Sequence, residues 1–351
     1  MPDSTTSVYL KSYILGDALR AEHFELSETA LRPLADAEVL LETVCLSVDP
    51  YLRGCMTGMA NYYVPQLDLR APIHSLGVAR VLDSRLPGYA AGELVLGSID
   101  WSARSILSAQ AISQRPVGRR TLRRLALTAQ EHPSRYLGVL GITGITAFFG
   151  IVGTAKPRPG ETMVVSAAAG AVGSVAGQIA KILGARVIGL TSSPEKRSVI
   201  VERLGFDAAV DYRSATLPQD LLELVPGGPD IYFDNVGGAV SQAVMSTMRH
   251  PARVVECGQI SSYDDQDGGW MVDIRPIHRH GLRFEGFTPS LFSEFEPAAL
   301  AQLEHWLGTG QIIALETVHH GLESLPAAML GLFRGGNIGK TVVSLDQPAT
   351  D

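Results

Sequence analysis

The feature that most restricts what this chain can become is a continuous apolar run, Thr162–Ala168 (TMVVSAA), that passes directly into AAGAVG (Ala168–Gly173) and then into a helical stretch, Val172–Leu183. A run with no polar alternation fits a strand buried on both faces, as in a parallel sheet. Downstream, apolar strand-like runs (Arg186–Leu190, Ala208–Val210, Asp230–Asp234, Arg253–Cys257) alternate with helical ones (Pro194–Leu204, Pro218–Leu224, Ala239–Met248) across short links. Strand and helix in alternation predict a doubly wound parallel sheet.

The stretch before it has another rhythm. Val39–Val44, Ile73–Val81 and Leu94–Ser98 are short apolar runs bounded by Pro, Gly and Asp. That punctuation predicts a small β barrel. The tail Ile312–Leu345, closing on Thr341–Ser344 (TVVS), is expected to rejoin it. The predicted class is α/β, with a barrel domain over 1–130 completed by 312–351, and a parallel-sheet domain over 131–311. A length of 351 residues suits two cores rather than one.

Composition closes off several function classes. A formal net charge of −7 gives no counterion-release drive, so nucleic acid is not an expected partner. The three cysteines, Cys45, Cys55 and Cys257, form no CxxC pair and no disulfide scaffold. The N-terminus lacks the basic-then-apolar order of a signal peptide, and no apolar stretch approaches membrane-spanning length. A cytoplasmic protein acting on a small molecule is the expectation.

Strand, glycine turn and helix together read as a dinucleotide site. Gly170 lets the backbone approach a pyrophosphate and Gly173 lets helix and strand pack closely. The exposed N–H groups of Ala169–Gly173 and the positive helix end would hold the phosphates. A strict GxGxxG has a glycine where Ala168 stands. An NAD site places an acid at the end of the second strand; here Leu190–Ser193 reads LTSS, followed by Lys196 and Arg197. Cations without that acid suit a 2′-phosphate, so NADPH is the expected cofactor.

Further along, SVDPYLRG (Ser47–Gly54), YLGVLGITGITAFFG (Tyr136–Gly150), FDNVGG (Phe233–Gly238), CGQISSY (Cys257–Tyr263) and GNIGKTVV (Gly336–Val343) stand in order. Together they resemble the medium-chain dehydrogenase/reductase superfamily, and most closely its zinc-free branch of prostaglandin reductases, alkenal double-bond reductases and curcumin reductases. The resemblance implies a GroES-like barrel domain and a Rossmann domain, with NADPH in the cleft between them, and a homodimer. It implies Lys196 on the 2′-phosphate, Tyr212 from the family's NY/DY pair, and Asn235 near the nicotinamide. Asn337 is a further cofactor contact, and Cys257 and Tyr263 line the same cleft. Thr143 and Phe287 complete the implied cofactor set.

The implied reaction is hydride addition to a carbon–carbon double bond conjugated to a carbonyl; an NADPH:quinone reductase is the alternative. Zinc relatives carry a Cys just before the first-motif aspartate and a Gly-His-Glu downstream. Here Leu46–Val48 precede Asp49 and His74 stands alone, so no metal is expected. Tyr51 and Tyr63 are the candidate catalytic and substrate-binding donors, with Tyr263 and Arg279 as further substrate contacts. Arg279 occupies the place where plant and animal members carry a tyrosine, so their proton-donor assignment does not carry over.

Overall fold

The computed structural model describes residues 4–59, 66–114, 122–263 and 270–345, and it divides into two compact units. The first holds residues up to Leu137 with Thr317–Gly336 and the segment from Thr341. Strands β1 (Ser4–Leu10) and β2 (Phe24–Ala30) pair antiparallel. The others are β3 (Glu38–Ser47), β4 (His74–Ser84), β5 (Leu94–Asp100), β6 (Arg104–Ser108), β7 (Arg123–Arg124), β14 (Glu316–His320) and β15 (Lys340–Ser344). They form a sheet ordered β14-β15-β3-β4-β5-β7, with β6 also on β3. Helices α1 (Leu52–Cys55), α2 (Ala109–Gln114) and α10 (Leu325–Phe333) accompany it. Val8, Leu41, Leu46, Ile99 and Trp101 are fully buried in its core. This is the GroES-like unit.

The second unit holds Gly138–Glu316 and Asn337–Lys340. Its strands are β8 (Thr162–Val165), β9 (Arg186–Thr191), β10 (Ala208–Asp211), β11 (Ile231–Asp234), β12 (Arg253–Glu256) and β13 (Arg283–Gly286). All are parallel, in the order β10-β9-β8-β11-β12-β13. That is the doubly wound Rossmann order, whose strand sequence reverses between β8 and β11. Helices α3 (Ile142–Phe148), α4 (Ala171–Ile182), α5 (Pro194–Ser198), α6 (Leu217–Leu224), α7 (Gly238–Met245), α8 (Arg275–His280) and α9 (Glu296–Gly308) belong to this unit. Strand β8, the first four residues of the apolar run, is buried at every residue, as a central parallel strand must be. One sheet face is a cluster of Val164, Ile188, Leu190, Tyr232 and Val254. Among the described residues no helix is long and apolar enough to cross a membrane.

The tail divides differently from the expectation that 312–351 would all rejoin the barrel. Ile313 exchanges two hydrogen bonds with the Gln178 amide, at 2.8 and 3.1 Å, which ties this segment to α4. The Gly339 N–H donates to the Ala169 carbonyl at 2.7 Å, and the Lys340 N–H to that of Leu315 at 2.8 Å. These bonds hold Asn337–Lys340 in the Rossmann unit. At the other junction, residues 131–137 fall in the GroES-like unit.

Candidate cofactor site

In a doubly wound sheet the binding crevice opens at the carboxyl ends of the strands where the order reverses. Here those ends are Ser166 and Asp234. After β8 the chain turns through Ala167, held at φ 47, and the Gly170 N–H closes the turn on the Ala167 carbonyl at 2.9 Å. Gly170 then caps α4 without a side chain, so the first-turn N–H groups of Ala171, Val172 and Gly173 face out of the helix end. A Cβ on Gly173 would collide with the Ala167 carbonyl, and one on Gly170 would stand 3.1 Å from it. The turn is thus a backbone-lined cradle fitted to a pyrophosphate.

Ala168 replaces the first fingerprint glycine without opening the turn. It is fully buried, and its Cβ rests where Gly189 on β9 leaves room. The missing glycine has a counterpart on the neighbouring strand, a compensation that only strand pairing reveals. The GNIGK segment supports the cradle from its other side. Gly339, at φ +70, has no room for a Cβ against the Leu315 carbonyl, and it bridges to Gly170. The Asn337 amide turns back onto the Gly339 carbonyl at 2.9 Å, so this asparagine shapes that turn.

At the end of β9, Ser193 caps α5 by accepting from the Lys196 N–H at 3.2 Å. Lys196 is half-buried; burial holds its ammonium below the ordinary lysine value, and Glu195 acts in the opposite sense. Arg197 Nη1 donates to Asp211 Oδ2 at 3.1 Å. Arg213 binds the same carboxylate through Nε and Nη2, each at 3.1 Å, and also reaches the Ser192 carbonyl. The Arg213 hydrogen bonds, with those of Arg197, bring the Asp211 carboxyl down to about 2. Tyr212 is exposed beside them. Sequence reasoning passed over Asp211 and Arg213, since nothing local places the end of β10 beside Ser192.

At the end of β11 the chemistry is the reverse. Asp234 is fully buried and accepts from Tyr232 Oη at 2.8 Å, Ser166 Oγ at 3.1 Å, Ser241 Oγ, and the N–H groups of Val236 and Gly237 at 2.9 and 3.1 Å. This network fixes the turn that carries Asn235. The Asn235 amide donates to the Ser166 carbonyl at 2.8 Å, joining the ends of β8 and β11 at the reversal point. Cys257 docks its N–H on the Asp234 carbonyl at 2.8 Å, and burial pushes its thiol far above the ordinary value. Half-buried, it carries little thiolate. The Tyr263 phenol lies over Gly258, where a Cβ would stand 3.3 Å from its oxygen.

Glu256, on β12 directly beside Asp234, is a residue that the sequence did not single out. Its Oε2 is buried without a hydrogen-bond partner. Burial first, then the Asp234 charge, push its carboxyl up to about 7.

The remaining expected residues are placed as follows. Thr143 is buried on α3 and donates to the Gly138 carbonyl at 2.9 Å. Phe287 packs against Phe233, ring centroids 6.4 Å apart, over Gly150. Arg279 is exposed on α8, where its charge acts on Asp273. In the GroES-like unit, Tyr51 precedes α1, bonds the Leu76 backbone, and has its phenol raised well above the ordinary value by burial and the nearby Asp49. Arg53 is buried and donates to the Ile14 and Asp17 carbonyls at 3.3 and 2.8 Å. Tyr63 lies outside the described residues. His74 Nδ1 meets Ser98 Oγ at 2.8 Å, and among the described residues no three His, Cys, Asp or Glu side chains gather as a metal site would require.

A Rossmann sheet with a glycine cradle at its reversal point, in a chain that also carries a GroES-like unit, defines a nucleotide-dependent oxidoreductase architecture. Residues 7–115 match the family model described as the N-terminal domain of oxidoreductase, and residues 171–305 that described as zinc-binding dehydrogenase. The chain belongs to the medium-chain dehydrogenase/reductase family, in the branch that contains prostaglandin, alkenal and curcumin reductases. It is 38% identical over 327 residues to prostaglandin reductase 1 of Mus musculus, covering 92% of this chain and 93% of that one. It is 34% identical over 349 residues to the NADP(+)-dependent 2-alkenal reductase of Nicotiana tabacum, covering 98% of each. The crystal structure of CurA from Vibrio vulnificus in complex with NADPH superposes with a TM-score of 0.87 at 33% identity, over 98% of this chain and all of that one.

Proposed function

We propose that this protein is an NADPH-dependent reductase of the carbon–carbon double bond of α,β-unsaturated aldehydes or ketones. The observation that carries the proposal is the cradle at Gly170–Gly173, with half-buried Lys196 standing beyond the end of β9. Relatives named for alkenal and prostaglandin reduction, and a structural neighbour solved with NADPH, support it.

The residues fit the cofactor. The N–H groups of Ala169–Gly173 would take the pyrophosphate, Lys196 the 2′-phosphate, Tyr212 the adenine side, and Asn235 and Tyr263 the nicotinamide side. NADPH, when bound there, supplies hydride to the β carbon of the acceptor. Negative charge would then gather on the carbonyl oxygen, and a proton from a side chain or water would complete the α carbon. The chain's part is to orient the acceptor, exclude water and stabilise the oxygen that gains charge, at about 3–4 kcal/mol for one well-placed donor. Tyr51 and Tyr63 are assigned as O–H donors to that oxygen. A phenol raised by burial, as Tyr51 is, keeps its proton and so serves as a donor without ionising. A cytoplasmic location and a homodimer belong to the same proposal, supported by the family resemblance.

The test is a rate panel of alkenals, cyclic enones, long-chain keto-lipids and quinones, each with NADPH and with NADH. Turnover of alkenals or enones with NADPH is expected. Turnover confined to quinones would overturn the assigned reaction.

A further inference from the structure

We infer that Arg213 is a second cation for the 2′-phosphate beside Lys196, and that Asp211 positions it there while being barred from the ribose. This inference rests on the NADPH assignment and concerns the specificity of that same site.

Parallel pairing sets Asp211 opposite Thr191, so its carboxylate arrives at the level of Ser192–Ser193, beyond the end of β9. In an NAD site the acid that accepts the ribose hydroxyls ends the second strand, β9; Asp211 stands at the same level on the neighbouring strand, β10. Here it is fully engaged. Oδ1 accepts from Arg213 Nε at 3.1 Å and from the Arg213 backbone N–H at 3.0 Å; Oδ2 accepts from Arg213 Nη2 and Arg197 Nη1, each at 3.1 Å. A carboxylate offers about four lone-pair sites, so four donors leave none for a ribose hydroxyl.

Arg213 is the complement of that saturation. Its Nε and Nη2 hydrogens are spent on Asp211 and the Ser192 carbonyl, whereas Nη1 has no hydrogen bond among the described residues. The side chain is 60% exposed. A guanidinium locked on one edge holds the two N–H donors of Nη1 in a fixed place, where they can meet phosphate oxygens. Lys196, Arg197 and Arg213 against Asp211 and Glu195 leave the pocket net positive. The acid nearest the end of β9 is thus the clamp for a residue that favours NADPH.

Calorimetric titration with 2′,5′-ADP and 5′-AMP tests this without turnover or nicotinamide. The wild type is expected to bind 2′,5′-ADP more tightly than 5′-AMP. Arg213→Ala should weaken 2′,5′-ADP about tenfold, the weight of one charge-assisted contact, and leave 5′-AMP within about twofold. Arg213→Lys, which keeps the charge but loses the two-point clamp on Asp211, should fall between the two. Asp211→Ala should weaken 2′,5′-ADP less than Arg213→Ala does, because the cation stays but is no longer held. If Lys196→Ala loses the preference for 2′,5′-ADP while Arg213→Ala keeps it, or weakens both ligands equally, Arg213 has no such role although the cofactor assignment stands. If the wild type itself does not discriminate, both the inference and the NADPH assignment fall.

Discussion

Two carboxylates at the ends of strands in one sheet have been pushed in opposite directions. Asp211, at the end of β10, is brought down to about 2 by arginine hydrogen bonds in a partly solvated setting. Glu256, at the end of β12, is raised to about 7 by burial and by the charge of Asp234. The first lies in an ionic, open region richer in cations than acids, and the second in a dry region where a carboxyl is better neutral. The same fold thus offers a highly charged phosphate one end of its crevice and an uncharged ring the other.

The contrast is most exposed to failure at Asp234. Asp234→Ala strands two hydroxyl and two N–H donors besides Ser166. It should cost about 3–5 kcal/mol in urea unfolding. A loss below about 1 kcal/mol would show that the buried end is wetter than described.

Next in size is Lys196→Ala, which should raise the KM for NADPH about 10- to 100-fold, in line with loss of a charge-assisted phosphate contact, while the KM for NADH barely moves. An equal rise for both cofactors would remove the 2′-phosphate from this end of the sheet.

Glu256 sharpens the comparison through pH. Its folded value, about 7, lies above its ordinary 4.5, so the folded state holds the proton more tightly. The stability this contributes is fully present below about 4.5 and is lost as pH rises through 7. Glu256→Gln should therefore match the wild type near pH 5 and exceed it near pH 8 by about 1–2 kcal/mol, a figure reduced for partial exposure. Thermal melts at the two pH values measure it, and a variant less stable at pH 8 would contradict the burial argument. The smallest effect belongs to Asp211→Ala, whose partly exposed ion pairs should move unfolding stability by no more than about 0.5 kcal/mol.

What the sequence made legible was what it encodes locally. The buried run of β8, the glycine turn and the helix behind it are contiguous, so periodicity and two glycines were enough to place the cradle. The parts that escaped are products of strand order. Asp211 meets Ser192 only because β10 lies beside β9, and Glu256 meets Asp234 only because β12 lies beside β11. Gly189 makes space for Ala168 across the same β8–β9 pairing, twenty-one residues away in the chain. The tail was assigned whole to the barrel because its strand pattern carries no sign that Gly339 bonds Ala169. Arg197 carries the right charge for a phosphate, and only the structure shows that Asp211 already engages it.

The most direct test is a crystal structure of the protein grown with NADPH. The pyrophosphate should lie on the N–H groups of Gly170–Gly173, with the 2′-phosphate in hydrogen-bond contact with Lys196. Density for the dinucleotide elsewhere, or a 2′-phosphate pointing away from Lys196 into solvent, would contradict the account.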